Sequence, residues 1–282
     1  ASPNGHGLIV SRGADELHLV LLGFDGTIDG ERRILGGVPH EVTGNEWFGP
    51  LIRAGRLAWA GDKWTAYYTV QRMWSDGIQH YGDQLATFST TGDPAGQLWD
   101  WGCSHSMDVR LAYGSNGIAP LCTSDCFPGK GVYYMHNTRV FDDPSGNCGG
   151  FVATTLGGIA PVPGGVLAAF ATPETRTSHD VAVVRIDEGQ AVGAPTWLTS
   201  ALGQESDVNI APFGSGAVLG WVEGAMGQLQ TLDATGAVVG AVQAIGAEVL
   251  AGASDFARLA GGEVAWLTAG AGGRLHVLSP CP

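Results

Sequence analysis

The chain has 282 residues and carries 14 basic against 27 acidic side chains, which gives a formal net charge of −13. This balance argues against nucleic-acid binding, because phosphate recognition needs a clustered basic surface. Glycine makes up 45 residues, about 16% of the chain against a usual share of roughly 7%, so helices are unfavourable. Hydrophobic residues still account for 44%, enough to build a core.

The first strand-like segment runs from Glu16 to Gly36 and consists of two strand-length runs around a glycine turn. The clearest unit in the chain runs from Ser206 to Gly246 and has four such runs separated by glycine turns. Residues 16–36 match the third and fourth runs of that unit. The same pattern restarts at Ser254 and supplies three runs before the sequence ends.

Runs that match the first strand of the unit recur along the chain. They begin near Gly49, Met107, Gly158, Asp207 and Asp255, with spacings of 58, 51, 49 and 48 residues. A period near 50 with four strands per unit is typical of the blades of a ring-shaped repeat protein. Because the sequence starts and ends within a unit, we expect the N- and C-terminal strands to pair and close the ring.

In this period, and in its Asp-x-x-Gly and Gly-Gly turns, the sequence resembles the β-propeller superfamily over nearly its whole length. The resemblance implies an all-β fold: one propeller domain over residues 1–282 with four-stranded blades. Six blades are expected, with five or seven as alternatives, and a two-sheet sandwich with an appended domain is the competing architecture. The repeat signatures of WD40, kelch and sialidase propellers are missing from the sequence, so the resemblance implies a shape and not an activity.

The two halves of the domain differ in composition. The irregular blades, at about residues 47–150, contain all six tyrosines, six of the nine tryptophans and four of the five cysteines. The regular blades, at about residues 151–282, consist mainly of small and aliphatic residues. Binding residues concentrate on loops held by a rigid scaffold, so we expect function in the first half. The alternative is that these side chains only fill wider gaps between irregular blades.

The main functional hypothesis is a binding or interaction module for a glycan, a peptide or a small organic ligand. Tryptophan and tyrosine combine a broad apolar face with a polar group, which suits ligand binding. The predicted ligand-binding residues are Trp99, Trp101, Tyr133 and Tyr134, with Asp108 and Arg110 as polar partners. Asp108, Asp207 and Asp255 each begin a first strand, where they either accept backbone N–H groups or line an axial ligand site.

Two alternatives assign different chemistry to the same region. His105, Met107, Met135 and His136 offer imidazole and thioether ligands that suit copper. In an enzyme, His105, Asp108 and His136 would provide acid–base groups for a hydrolase or lyase.

Two acidic segments, Asp25 to Glu31 and Asp142 to Asn147, have oxygen donors at alternating positions, as calcium loops do. For the first segment a hairpin turn is the favoured interpretation.

The cysteines predict an oxidising environment. Four of them, Cys103, Cys122, Cys126 and Cys148, lie close together in a loop-rich region, which favours disulfides and an extracellular, periplasmic or cell-surface location. Their pairing is left open, and with Cys281 the count is odd. An unpaired cysteine or an exposed blade edge would allow self-association. No membrane span is expected, because the most apolar long window is interrupted by glycines and polar residues.

Overall fold

A computed structural model describes residues 1–13, 16–36, 40–41, 47–105, 108–173, 178–200, 203–246, 255–268 and 273–280. Within these ranges the chain forms only strands, turns and loops, with no helix. The all-β prediction is confirmed.

The described strands form six antiparallel sheets, which we number as blades 1 to 6 in chain order. Blade 1 contains β1 (His6–Arg12), β2 (Glu16–Leu22) and β3 (Ile28–Gly36). Blade 2 contains β4 (His40–Glu41), β5 (Trp47–Trp59), β6 (Trp64–Met73), β7 (Gln79–Phe88) and β8 (Pro94–Trp99). Blade 3 contains β9 (Val109–Gly114), β10 (Gly117–Ser124), β11 (Gly131–Tyr134) and β12 (Thr138–Asp142).

The second half of the chain continues the same pattern. Blade 4 contains β13 (Thr155–Val162), β14 (Gly165–Thr172), β15 (Asp180–Asp187) and β16 (Thr196–Trp197). Blade 5 contains β17 (Glu205–Phe213), β18 (Gly216–Glu223), β19 (Met226–Leu232) and β20 (Val238–Ala244). Blade 6 contains β21 (Ala257–Arg258), β22 (Val264–Thr268) and β23 (Arg274–Leu278).

These sheets are arranged in a ring as a six-bladed β-propeller in which the typical blade has four strands. Neighbouring blades meet through their innermost strands: β5 lies beside β9, β9 beside β13, β13 beside β17, and β17 beside β21. These strands begin within three residues of the positions that the repeat period predicts. The predicted propeller fold and blade number are confirmed.

Buried apolar clusters join consecutive blades. Leu19 of blade 1 packs with Trp64 and Tyr68 of blade 2, and Tyr67 of blade 2 packs with Tyr133 of blade 3. Three further clusters join blades 3 and 4, blades 4 and 5, and blades 5 and 6. The inner strands are therefore packed on both faces, which is why their sequences are continuous apolar runs and do not alternate.

The predicted pairing of the N- and C-terminal strands is not present among the described residues, because the terminal strands form two separate sheets. Residues 16–36 were matched to the third and fourth strands of a blade, but they form the second and third. Their first strand is β1, which pairs with β2 in continuous register from His6 opposite Leu22 to Arg12 opposite Glu16. The buried face of β2 packs on blade 2, so the N-terminal segment forms a blade of its own.

The glycines mark a recurrent hairpin turn, as predicted. In the turn from Asp233 to Ala237, the Asp233 amide donates to the Ala237 carbonyl at 2.9 Å, and the Gly236 amide donates back to the Asp233 carbonyl at 3.0 Å. Gly236 has a φ of 86°, which favours glycine because it has no Cβ. The turn from Gly23 to Thr27 has the same two hydrogen bonds.

Two disulfides are present, as the crowding of the cysteines predicted. Cys103 pairs with Cys122 inside the buried cluster between blades 2 and 3. Cys126 pairs with Cys148 and ties the loop after β10 to the loop before β13. Cys281 lies outside the described residues.

Candidate functional site

The main candidate site lies at the end of the propeller where the inner strands begin. A cavity of about 600 Å³, here called the mouth cavity, is lined by His105, Asp108, Asp125, Phe151 and neighbouring residues. A second cavity of about 410 Å³, the side cavity, extends it towards blade 5. The two cavities share the lining residues Asp108, Thr155 and Leu156.

A third cavity of about 650 Å³, here called the axial channel, is lined by the inner strands of blades 3 to 6, and a buried arginine lies between it and the side cavity. Arg110 is 8% exposed and contacts the Asp108 carboxylate, while its Nη2 donates to the Leu156 carbonyl at 2.9 Å. Asp255 of blade 6 lies 3.7 Å from Arg110 Nε and 2.5 Å from Arg56 Nε of blade 2. The arginines therefore neutralise two of the carboxylates at the mouth and hold them in place.

The three aspartates at the strand starts have different surroundings, and their proposed roles stay predictions. Asp108 and Asp255 contact arginines near the axis, and Asp108 lines both cavities. Burial raises the pKa of Asp108, although Arg110 and Arg56 act in the opposite direction. Asp207 lines the side cavity and has a φ of 51°, at a bulge in β17.

His105 and Asp125 form a close pair on the wall of the mouth cavity. His105 Nδ1 lies 3.1 Å from Asp125 Oδ2, and the Asp125 side chain is almost fully buried. The His105 ring also contacts the rings of Tyr81 and His80 edge-on or tilted, with centroid distances of 5.5 and 5.8 Å. His105 was predicted from the sequence, but its carboxylate partner was not.

Phe151 is the exposed aromatic residue of the mouth cavity, at 77% exposure. Its loop is held by two hydrogen bonds: Ser145 Oγ donates to the Phe151 carbonyl at 2.9 Å, and the Gly149 amide donates to the Asp125 carbonyl at 2.9 Å. The Cys126–Cys148 disulfide lies in the same pair of loops. In the sequence, the crowded cysteines were the sign that these two loops are joined. Which cysteines pair could not be assigned without the structure.

The predicted aromatic anchors are packed within the blades and are not gathered at the mouth with Asp108 and Arg110. Tyr133 is 2% exposed, and Trp99 packs against the same cluster with its ring 5.7 Å from Tyr67. Trp101 contacts Trp74 edge-on at 5.7 Å.

Tyr134, the fourth anchor, is half-buried and packs against the cluster between blades 3 and 4. A direct ligand contact by these four residues stays a prediction.

Asp83 explains much of this aromatic packing. It is fully buried and accepts hydrogen bonds from Trp99 Nε1 and from the Cys103 amide, each at 3.0 Å. Burial raises the pKa of Asp83 to about 7, despite these hydrogen bonds, which act to lower it. Several aromatic residues of blade 2 thus enclose a buried carboxylate.

The predicted copper ligands are only partly described. Met107 lies outside the described residues, and the His136 ring packs on Trp99 with centroids 4.5 Å apart. Burial lowers the pKa of His136, and Met135 and His136 both have positive φ angles. Copper binding by these residues stays a prediction.

One described group of His, Cys, Asp and Glu side chains is close enough to hold a metal ion: Asp83, Cys103 and Cys122. Its two cysteines are bonded to each other as a disulfide, so their sulfur atoms are not thiolate ligands.

The two predicted calcium segments form turns that use their own carboxylates. Asp25 accepts hydrogen bonds from the amide and the hydroxyl of Thr27, and these hold its pKa below the usual value. Asp143 accepts from the amides of Ser145 and Thr154 at 2.9 and 2.7 Å. Burial acts to raise the pKa of Asp143, but these hydrogen bonds outweigh it and lower the pKa.

Comparison with known proteins adds no activity to this picture. No model of a known protein family matches the chain, and a search of curated proteins finds no similar sequence. Within the described residues, no helix is long and apolar enough to cross a membrane.

Proposed function

We propose that this protein is an exported binding module that recognises a small polar organic ligand, in particular a glycan segment, at the mouth cavity. One observation carries the proposal: an exposed aromatic ring, Phe151, lines the same cavity as the polar side chains of His105, Asp108 and Asp125. Sugars combine apolar ring faces with hydroxyl donors, so this combination matches their chemistry.

The electrostatics of the mouth favour hydrogen-bond donors on the ligand. Asp108 presents carboxylate oxygens, and Arg110 is engaged by Asp108 and by backbone carbonyls. Ligand hydroxyl groups would donate to these oxygens. Because Arg110 and its partners are already in position, binding would require little reordering of these side chains.

The size of the site fits a small ligand. Pockets for small molecules usually have volumes of roughly 300 to 1,000 Å³. The mouth cavity, at about 600 Å³, lies within this range, and the side cavity gives a longer ligand room to extend towards Asp207. An oligosaccharide of a few units is therefore the appropriate probe.

Export is proposed from the disulfides. Two disulfides in one domain are typical of proteins that fold in an oxidising environment and are rare in the cytosol. Glycans are abundant at cell surfaces and outside cells, so the proposed location and ligand class agree.

The proposal is tested by isothermal titration of the protein with cellotetraose, xylotetraose and chitotetraose. We expect at least one of them to bind, and we expect the Phe151→Ala variant to weaken that binding about 10-fold through the loss of ring contact. Phe127→Ala is the matched control. Phe127 is also exposed, at 58%, and lies next to Cys126 of the Cys126–Cys148 disulfide, but it does not line the mouth cavity.

Two results would contradict the proposal. One is the absence of binding to all three tetrasaccharides. The other is an equal effect of Phe151→Ala and Phe127→Ala, which would place the ligand away from the mouth cavity.

A further inference from the structure

The His105–Asp125 pair has the arrangement of a general base with its orienting carboxylate. Asp125 Oδ2 and Ser104 Oγ each lie 3.1 Å from Nδ1 of the imidazole, so a carboxylate and a hydroxyl both face this nitrogen. In the neutral ring, a proton on Nδ1 that is donated to Asp125 leaves a lone pair on Nε2. Among the described residues, none forms a hydrogen bond with Nε2. Because His105 lines the mouth cavity, Nε2 is the ring nitrogen left to act on a bound molecule.

The pair is held by its surroundings. The Asp125 amide donates to the Ser104 carbonyl at 3.1 Å, and the Asp125 carbonyl accepts from the Gly149 amide at 2.9 Å. The second carboxylate oxygen, Oδ1, is buried without a hydrogen-bond partner among the described residues. A buried carboxylate that can still accept a hydrogen bond can stabilise the imidazolium that forms when His105 accepts a proton.

His105 also has an unusual backbone conformation. Its φ is 48°, in the left-handed region that residues other than glycine rarely adopt. The His105 amide donates to the Tyr81 carbonyl at 2.8 Å, so the conformation is fixed by blade 2. Strain of this kind concentrates at functional sites, where the surrounding structure holds a side chain in position.

We propose, beyond ligand binding, that the mouth cavity hydrolyses carboxylic esters, with His105 as the general base and Asp125 as its positioning residue. His105 Nε2 takes a proton from water while the water oxygen forms a bond to the ester carbonyl carbon. The tetrahedral intermediate then breaks its bond to the alkoxy oxygen, and Nε2 returns the proton to that oxygen. Ester and water become acid and alcohol, and no oxidant or reductant is needed.

The test measures the hydrolysis of p-nitrophenyl acetate by the protein of residues 1–282. We expect His105→Ala to lower kcat about 100-fold or more, which is the usual contribution of a general base. Imidazole added to the buffer should restore part of the rate of this variant. Asp125→Asn should lower kcat about 10-fold while KM is unchanged, because Asp125 acts through His105 and not on the ester.

The matched control is His6→Ala, because His6 is an exposed histidine at the start of β1 that does not line the mouth cavity, and it should keep the wild-type kcat. His105→Asn is the second variant for the case that His105→Ala does not fold, since asparagine tolerates a positive φ. It should show the same loss of kcat.

Three results would overturn the proposal. The first is wild-type hydrolysis no faster than the buffer reaction. The second is equal activity in the His105 and His6 variants. The third is an Asp125→Asn variant that changes KM alone. Tetrasaccharide binding that depends on Phe151 would remain in each case, so failure of the proposed hydrolysis is distinguishable from failure of the binding function.

Discussion

The buried carboxylate of Asp83 should make the stability of the protein fall as the pH rises. The pKa of Asp83 is raised from its ordinary value of 3.8 to about 7 because the group is fully buried. Folding therefore favours the protonated acid. The corresponding stability is fully present below pH 3.8 and is lost as the pH rises through about 7.

The size of the effect follows from the shift. About 3 pKa units correspond to about 4 kcal/mol of unfolding free energy between the two limits. Between about pH 5 and pH 8, the experimentally convenient part of this range, the loss is about 2.5 kcal/mol. Such a change is a large share of the stability of an ordinary domain.

The assay is equilibrium unfolding in urea at several pH values, followed by tryptophan fluorescence under non-reducing conditions. Asp83→Asn removes the titrating group and replaces one oxygen acceptor with an amide. Either Trp99 Nε1 or the Cys103 amide then loses its acceptor, which costs about 1–3 kcal/mol at every pH. The variant should be less stable than the wild type at pH 5, and this difference should shrink or reverse at pH 8.

Asp100→Asn is the control, because Asp100 is an exposed aspartate close by in the sequence, and its unfolding should follow the wild-type pH dependence. The other titrating groups are the same in the wild type and the Asp83→Asn variant, so their contributions to the pH dependence cancel when the two are compared. If Asp83→Asn loses as much stability as the wild type between pH 5 and pH 8, the reasoning about Asp83 is refuted.

Three further predictions concern the same half of the propeller. Gly102→Ala should lower the unfolding free energy in urea by about 2–4 kcal/mol, because the new Cβ would clash with Asp83 Oδ1. Gly30→Ala is the control and should cost much less, because its Cβ would meet nothing closer than 3.9 Å. Equal losses of stability in the two variants would contradict the steric argument. Replacing Cys126 and Cys148 by serine should weaken tetrasaccharide binding as Phe151→Ala does, because the disulfide ties the loop of Phe151 to the loop after β10. Replacing Cys103 and Cys122 by serine should instead lower the unfolding free energy by about 3 kcal/mol or more. Unchanged binding in the first disulfide variant would show that the loop holds its position without the bond.

The fold was predictable from sequence because glycine turns separate apolar runs at a nearly constant period. The inner strands β9, β13, β17 and β21 begin close to the predicted positions for this reason. The N-terminal blade was assigned wrongly because two strands and a turn look alike wherever they lie in a blade. Only the pairing of β1 with β2 shows which strand comes first.

The candidate site was predictable only in part. Asp108 and Arg110 were found because they begin an inner strand, a position that the repeat pattern fixes. Asp125 and Phe151 were missed because their place at the mouth depends on which cysteines pair. The density of tryptophan and tyrosine does not separate two roles, because a sequence has the same composition whether these rings face a ligand or a buried cluster. In the structure Tyr133 packs in the cluster between blades 2 and 3, and Trp99 donates a hydrogen bond to Asp83.

The most direct test of the central claim is a crystal structure of the protein with a tetrasaccharide that binds in titration. Binding at the mouth predicts a sugar ring against Phe151 in the mouth cavity, with hydroxyl groups donating to Asp108. A tetrasaccharide in the axial channel or against Phe127, with the mouth cavity unoccupied, would contradict the claim.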